Sequence, residues 1–162
     1  MKKNAICFHG ISSGASDKDL DSKVNVASVF DFIHSNIIVP NSCDVFFHTW
    51  DHDNIDSLMS IYDPKKSCIE DPIVFHKNSL LDDIKHVRRK FLFDQNHKNR
   101  RNAIMSRWYS LKKSVNLATC HAQESGFVYD KIFVTRFDML LKKKVDLSEL
   151  SSEKFYSGRW PR

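Results

Sequence analysis

Apolar positions along the chain alternate between short continuous runs and longer stripes of helical period, the pattern of strands separated by helices. Asn4–Phe8 is a short apolar run closed by His9-Gly10 and then by a serine- and glycine-rich loop reaching Ser22. This predicts a buried first strand feeding a loop. From Ser22 to Asn36, Val26, Phe30, Ile33 and Ile37 recur at helical spacing beside Ala27, with Asp21 or Ser22 as cap and Pro40-Asn41 as the stop. Cys43–Trp50 is the second predicted strand, with Val45, Phe46 and Phe47 in succession before the polar stretch His48–Asp53. Strand, helix, strand is the start of a βαβ unit.

Residues 54–72 carry Pro64 and Pro72 and read as a loop with one helical turn near Ile55–Ile61. Ile73–Phe75 reads as a short strand, and Ser79 opens a helix with Asp82 as its capping-box partner and Leu80, Ile84, Val87 and Phe91 as its buried stripe. After the polar break Asp94–Arg101, the residues Trp108, Leu111, Val115, Ala118 and Ala122 follow 3- and 4-residue spacing. This predicts a long helix from Ala103 to Glu124 with Trp108 in the core and Tyr109 and Lys112 off the buried stripe. Gly126 ends it as a C′ glycine.

Tyr129–Leu141 (YDKIFVTRFDMLL) follows by a tight turn and is the most strongly patterned strand. Alternation puts Ile132, Val134, Arg136 and Asp138 on one face and Phe133, Thr135, Phe137 and Met139 on the other. Apolar residues on both faces indicate a buried, parallel strand. An Arg and an Asp at its end are costly unless paired, solvated or bound. They are either an ordinary strand-end ion pair or a binding device, with Arg136 suited to phosphate and Asp138 to a metal or a ribose. The fold class is therefore α/β: a three-layer αβα sandwich on a mostly parallel, Rossmann-like sheet of about four to five strands. Its ligands are expected at the carboxyl ends of the strands.

Composition narrows this picture. With 162 residues, 41% of them hydrophobic, residues 1–162 read as a single domain with a full core. No apolar run approaches the ~20 residues of a membrane span, and Lys2-Lys3 are followed by no signal-peptide core. The expected location is cytoplasmic. Cys7, Cys43, Cys68 and Cys120 form no CxxC pair, so neither a zinc knuckle nor a disulfide framework is indicated, and Cys7 and Cys43 read as small core residues. A net charge of +5 is spread over basic clusters such as His86–Lys90, His97–Arg101, Arg107–Lys113 and Lys142–Lys144. These read as solvated helix faces, and no nucleic-acid-binding signature accompanies them. The first loop has neither GxGxxG nor GxxxxGK[ST], which argues against NAD enzymes and P-loop kinases. Two His and two Asp in His48–Asp53 offer metal-type donors, the basis of an alternative reading as a metal-dependent hydrolase.

An early strand ending in His9-Gly10, the run DVFFHTWD, the helix RWYSLKKSVNLA and the strand FVYDKIFVTRFDML together resemble glycosyltransferase-like proteins of bacterial and viral surface-polysaccharide loci. These are similar to nucleotide-diphospho-sugar transferases of the GT-A fold. The resemblance implies a donor-binding domain that takes a nucleotide-diphospho-sugar and transfers the sugar to a glycan, glycolipid or other acceptor. It implies Arg136 and Asp138 at the diphosphate, His9 and Gly10 near the nucleotide, and Asp51 beside them. In that fold an Asp-x-Asp motif holds Mn²⁺ or Mg²⁺ against the diphosphate. Here Arg136-Phe137-Asp138 stands in its place, leaving Asp138 as the one matching metal ligand and Arg136 to neutralise phosphate charge. Such transferases continue well beyond this strand, so the chain reads as a shortened donor half, and an inert binding protein of the same fold is the other reading.

Overall fold

Alternation and helical periodicity together produce a sheet with a layer of helices on each side. A computed structural model describes residues 3–12, 26–52, 55–75, 97–139 and 143–157. In chain order the elements are β1 (Asn4–Gly10), α1 (Val26–Ile33), β2 (Cys43–Thr49), α3 (Ile55–Tyr62), β3 (Lys66–Ile69), α4 (His97–Glu124) and β4 (Lys131–Arg136). Between α1 and β2 the helix continues through a π-helical turn, His34–Ile38, into the short α2 (Val39–Asn41). Among the described residues the four strands are all parallel, in the order β3-β2-β1-β4. That is the order of the first four strands of a doubly wound, Rossmann-like sheet.

The two faces are filled differently. On one, α1, the π turn and α3 supply Val29, Ile33, Ile37, Leu58 and Tyr62 against Ile6, Phe8, Val45, Phe47 and Phe137. On the other, α4 lays Ala118 and Ala122 over Ala5, Cys7 and Phe46, and Tyr129 closes the end. Small residues at four-residue spacing let the helix lie close to the strands. Cys7 and Cys43 are buried as expected. Gly126 ends α4 with φ +70°, Phe127 N–H donating to Ala122 C=O and Gly126 N–H to Gln123 C=O. This is a Schellman motif. The segment after β4 is fastened by Asn41, whose side chain donates to Val145 C=O (2.7 Å) and accepts from Leu147 N–H (2.7 Å). Among the described residues no helix is long and apolar enough to cross a membrane.

Several sequence expectations are corrected. Residues 66–69, read as loop, form β3: Lys-Ser-Cys-Ile has a single strong apolar side chain, and its pairing with β2 supplies what pattern does not. Residues 55–62 form two turns of helix rather than one. Ile73–Phe75 joins no ladder among the described residues, and Val74 is exposed. Pro40-Asn41 do end the first helical segment as expected: α2 stops at Asn41, and Ser42 turns into the left-handed region with φ 48° before β2 begins. The long helix begins at His97, earlier than Ala103. Trp108 is 63% exposed rather than core, because the sheet-facing line of α4 is Ser110, Ser114, Ala118 and Ala122. β4 ends at Arg136 and pairs only with β1 among the described residues, so Ile132 lies partly in solvent. The helix expected from Ser79, the start of the first helix before Val26, and Leu140-Leu141 lie outside the described residues.

Candidate functional site

Parallel pairing aligns the last α4-facing residue of each strand in one row. His9 is the register partner of both Arg136 and His48, and His48 is the partner of Cys68. Two residues earlier the equivalent row is Val134, Cys7, Phe46 and Lys66, so the surface under α4 turns from largely apolar to polar within one strand repeat. The row lies at the carboxyl ends of the strands. Its β1–β4 part is the topological switch point, where the chain, having added β2 and β3 on one side of β1, returns to add β4 on the other.

At the switch point stand Arg136, Asp138, His9 and Gly10. Arg136 Nε donates to Asp138 Oδ1 at 2.7 Å, and Arg136 Nη2 donates to Asp138 Oδ2, a two-point pair in which both groups remain partly open to solvent. Asp138 reaches this position from the turn after the strand, where Met139 N–H bonds back to Arg136 C=O. His9 is buried, and its Nδ1 has no hydrogen-bond partner among the described residues. Burial, with the Arg136 and Arg107 guanidiniums beside it, lowers the His9 pKa from 6.5 to about 4, so the ring is neutral at physiological pH. Gly10 takes φ +103°, which no other residue adopts without strain, and its N–H donates to Ser110 Oγ at 2.9 Å. Asp51, just past β2, accepts from Ser12 Oγ at 2.7 Å while its own N–H donates to Thr49 Oγ1.

The β2–β3 part of the row is centred on His48, which is fully buried. Its Nδ1 lies 2.8 Å from Ser110 Oγ, and its Nε2 lies 3.5 Å from Glu70 Oε2, too far for a good hydrogen bond. Burial pushes the imidazole toward its neutral form against the opposing pull of Glu70. Glu70 accepts from Lys113 Nζ (2.7 Å) and Tyr109 Oη (2.8 Å), which hold its carboxyl down at about 2. Cys68 Sγ lies 3.4 Å from Glu70 Oε1. One donor atom each from His48, Cys68 and Glu70 falls within 4.8 Å of the others. Trp50 stacks on Tyr109 with ring centroids 5.5 Å apart and meets His48 edge-on, covering this end of the row.

The stretch His48–Asp53 does not assemble its own donor set among the described residues. His48 turns to Ser110 and Glu70, Asp51 to Ser12, and His52 to Asp71 at the surface; Asp53 lies outside the described residues. Of the residues singled out in the sequence, Arg136, Asp138, His9 and Gly10 come together at the adjoining ends of β1 and β4, and Asp51 sits at the end of the neighbouring strand. Cys68, Glu70, Ser110 and Lys113 were missed. The signal for Ser110 and Ser114 was present as two serines on the buried side of an otherwise helical stripe. No protein-family model, no curated protein and no solved structure matches the chain.

Proposed function

We propose that this chain binds a nucleotide-diphospho-sugar in the crevice between the carboxyl ends of β1 and β4 and serves transfer of the sugar to a glycan or glycolipid acceptor. The observation that carries the reading is the meeting of an oriented arginine with His9 and Gly10 at the switch point of a parallel sheet, the position where ligands of such sheets bind. Arg136 is fixed by its two bonds to Asp138 through Nε and Nη2. The Nη1 side of its planar fork makes no hydrogen bond among the described residues and suits a phosphate oxygen. Gly10 lets the β1 backbone turn at the crevice without a side chain in the way, and neutral His9 offers a nitrogen for a ribose or base.

The GT-A pattern would put Mn²⁺ or Mg²⁺ on Asp138, and the residues here do not fit that ion. The first carboxylate of the Asp-x-Asp pair is replaced by the Arg136 guanidinium, which is itself bonded to Asp138, so only one of the two carboxylates is left. Charge on the departing nucleoside diphosphate is then met by Arg136, with Asp138 as the residue that orients it.

A thermal-shift panel of UDP-, GDP-, CMP- and dTDP-sugars, with EDTA or with Mn²⁺, tests this. A ligand at a hundredfold excess over its Kd stabilises the fold by roughly 2.7 kcal/mol. The expected result is a shift with one nucleotide class that persists in EDTA and disappears in Arg136→Ala. No shift with any of them overturns the function, and a shift unchanged in Arg136→Ala overturns the site.

A further inference from the structure

We propose that His48 Nε2, Cys68 Sγ and the Glu70 carboxylate form a binding site for a divalent transition metal of borderline softness, of the Zn²⁺ class, where β2 meets β3. The site lies at the β2–β3 end of the row, next to the β1–β4 strand ends, and the inference does not depend on nucleotide-sugar binding.

The ligands are placed by the sheet itself. Cys68 is the direct register partner of His48, and Glu70 follows Cys68 by two residues on the same side of the strand. Positions fixed by strand register are more exact than positions on a loop. The three donor atoms lie within 4.8 Å of one another. His48 and Cys68 each reach one of the two Glu70 oxygens, Nε2 lying 3.5 Å from Oε2 and Sγ 3.4 Å from Oε1, so the carboxylate stands between the other two ligands. One nitrogen, one sulfur and one oxygen favour zinc-like ions over Mg²⁺ or Ca²⁺, which take oxygen donors.

The independent observation is His48 itself. It is fully buried, and its Nε2 has no hydrogen-bond partner among the described residues and lies 3.5 Å from Glu70 Oε2, on the side of the cluster. A buried polar atom without a partner is costly in a folded protein. Nδ1–H donation to Ser110 Oγ, which also accepts from Gly10 N–H while its own hydroxyl turns to His48 C=O, leaves the Nε2 lone pair facing the cluster. That tautomer suits metal binding, and Ser110 is its positioning residue. Tyr109 and Lys113 orient Glu70 in the same way. Without metal, the Cys68 thiol can donate to Glu70 Oε1; metal binding releases that proton to solvent. No further His, Cys, Asp or Glu joins the three among the described residues, so the fourth position is open to water or a ligand atom.

Co²⁺ titration of the full chain, followed by Zn²⁺ competition, tests the site. The expected result is saturation at a single equivalent, with a thiolate-to-cobalt charge-transfer band and the strong visible bands of a tetrahedral ion. Cys68→Ser should abolish the charge-transfer band. Glu70→Gln and His48→Gln should weaken Zn²⁺ binding at least about tenfold, and Ser110→Ala by roughly 10–100-fold. Cys120→Ser, at an exposed position on α4, should change nothing. No band at saturating Co²⁺, a band retained in Cys68→Ser, or unchanged affinity in Glu70→Gln overturns the proposal. Should His48→Gln fail to fold, Cys68→Ser and Glu70→Gln, at half-buried positions, still decide it.

Discussion

The two faces of this sheet are made by alternate residues of the same four strands, yet they are built for different purposes. Under α1 and α3 the strands contribute Ile6, Phe8, Val45 and Phe47, joined by Phe137 and Tyr62 in a set of ring contacts with centroids 4.8–6.3 Å apart. Under α4 they contribute Ala5, Cys7 and Phe46, then change to His9, His48, Cys68 and Arg136 at the carboxyl ends. The first face gains its stability from large buried area. The second gives up area for closeness: small residues bring α4 near enough for Ser110 to bond both Gly10 and His48. Strand alternation therefore separates folding energy from chemistry at single-residue resolution.

The largest effect should come from the aromatic face. Phe47→Ala removes a fully buried ring from contact with Tyr62 and Phe137 and should cost about 3–5 kcal/mol in urea unfolding. A cost under ~1 kcal/mol would mean that this face does not carry the fold.

Next comes acid. His9 titrates at 6.5 when unfolded and at about 4 when folded, lowered by burial and then by Arg136 and Arg107, with Asp138 opposing and His48 adding slightly. The unfolded chain therefore binds the extra proton first. Stability is complete above pH 6.5 and falls as pH drops through about 4, by on the order of 3 kcal/mol. His9→Gln should make that limb of the stability curve shallower without abolishing it, since His48 is shifted the same way. An identical curve would show that His9 is not the neutral, buried group its surroundings imply.

How much of this was legible depends on what each residue shows locally. β1, β2, the long helix and β4 announced themselves because runs such as Ala5–Phe8 and Val45–Phe47 are apolar in sequence. β3 did not, because Lys66–Ile69 is a strand by virtue of its neighbour, and no pattern in four residues reports a neighbour. The Arg136–Asp138 spacing pointed to their pairing, and the strand ends at His9 and Arg136 pointed to a shared edge. The His48–Cys68–Glu70 grouping was not readable, since it needs the β2–β3 register. Trp108 was misplaced for a related reason: size suggests burial, but a helix lying this close to a sheet turns its small side chains inward.

Ser110→Ala probes the close approach of α4. It leaves the Gly10 N–H and His48 Nδ1 without their partner in a buried site and should cost about 1–3 kcal/mol. Ser110→Thr, which keeps the hydroxyl, separates hydrogen bonding from packing: if it behaves like the alanine variant, closeness rather than the bond is what matters.

The smallest stability effect, and the sharpest contrast, is expected at Arg136. Its pair with Asp138 is two-point, but the side chains are 37% and 29% exposed, so solvent offsets most of the attraction. Arg136→Ala should change unfolding free energy by only ~0–1 kcal/mol while abolishing the nucleotide-sugar thermal shift. Asp138→Asn keeps one acceptor for the guanidinium and should weaken that shift less than Arg136→Ala, because it loosens the arginine's orientation without removing its charge. The reverse order would make Asp138 the primary ligand-binding group and Arg136 its counter-ion, exchanging the roles argued for the crevice.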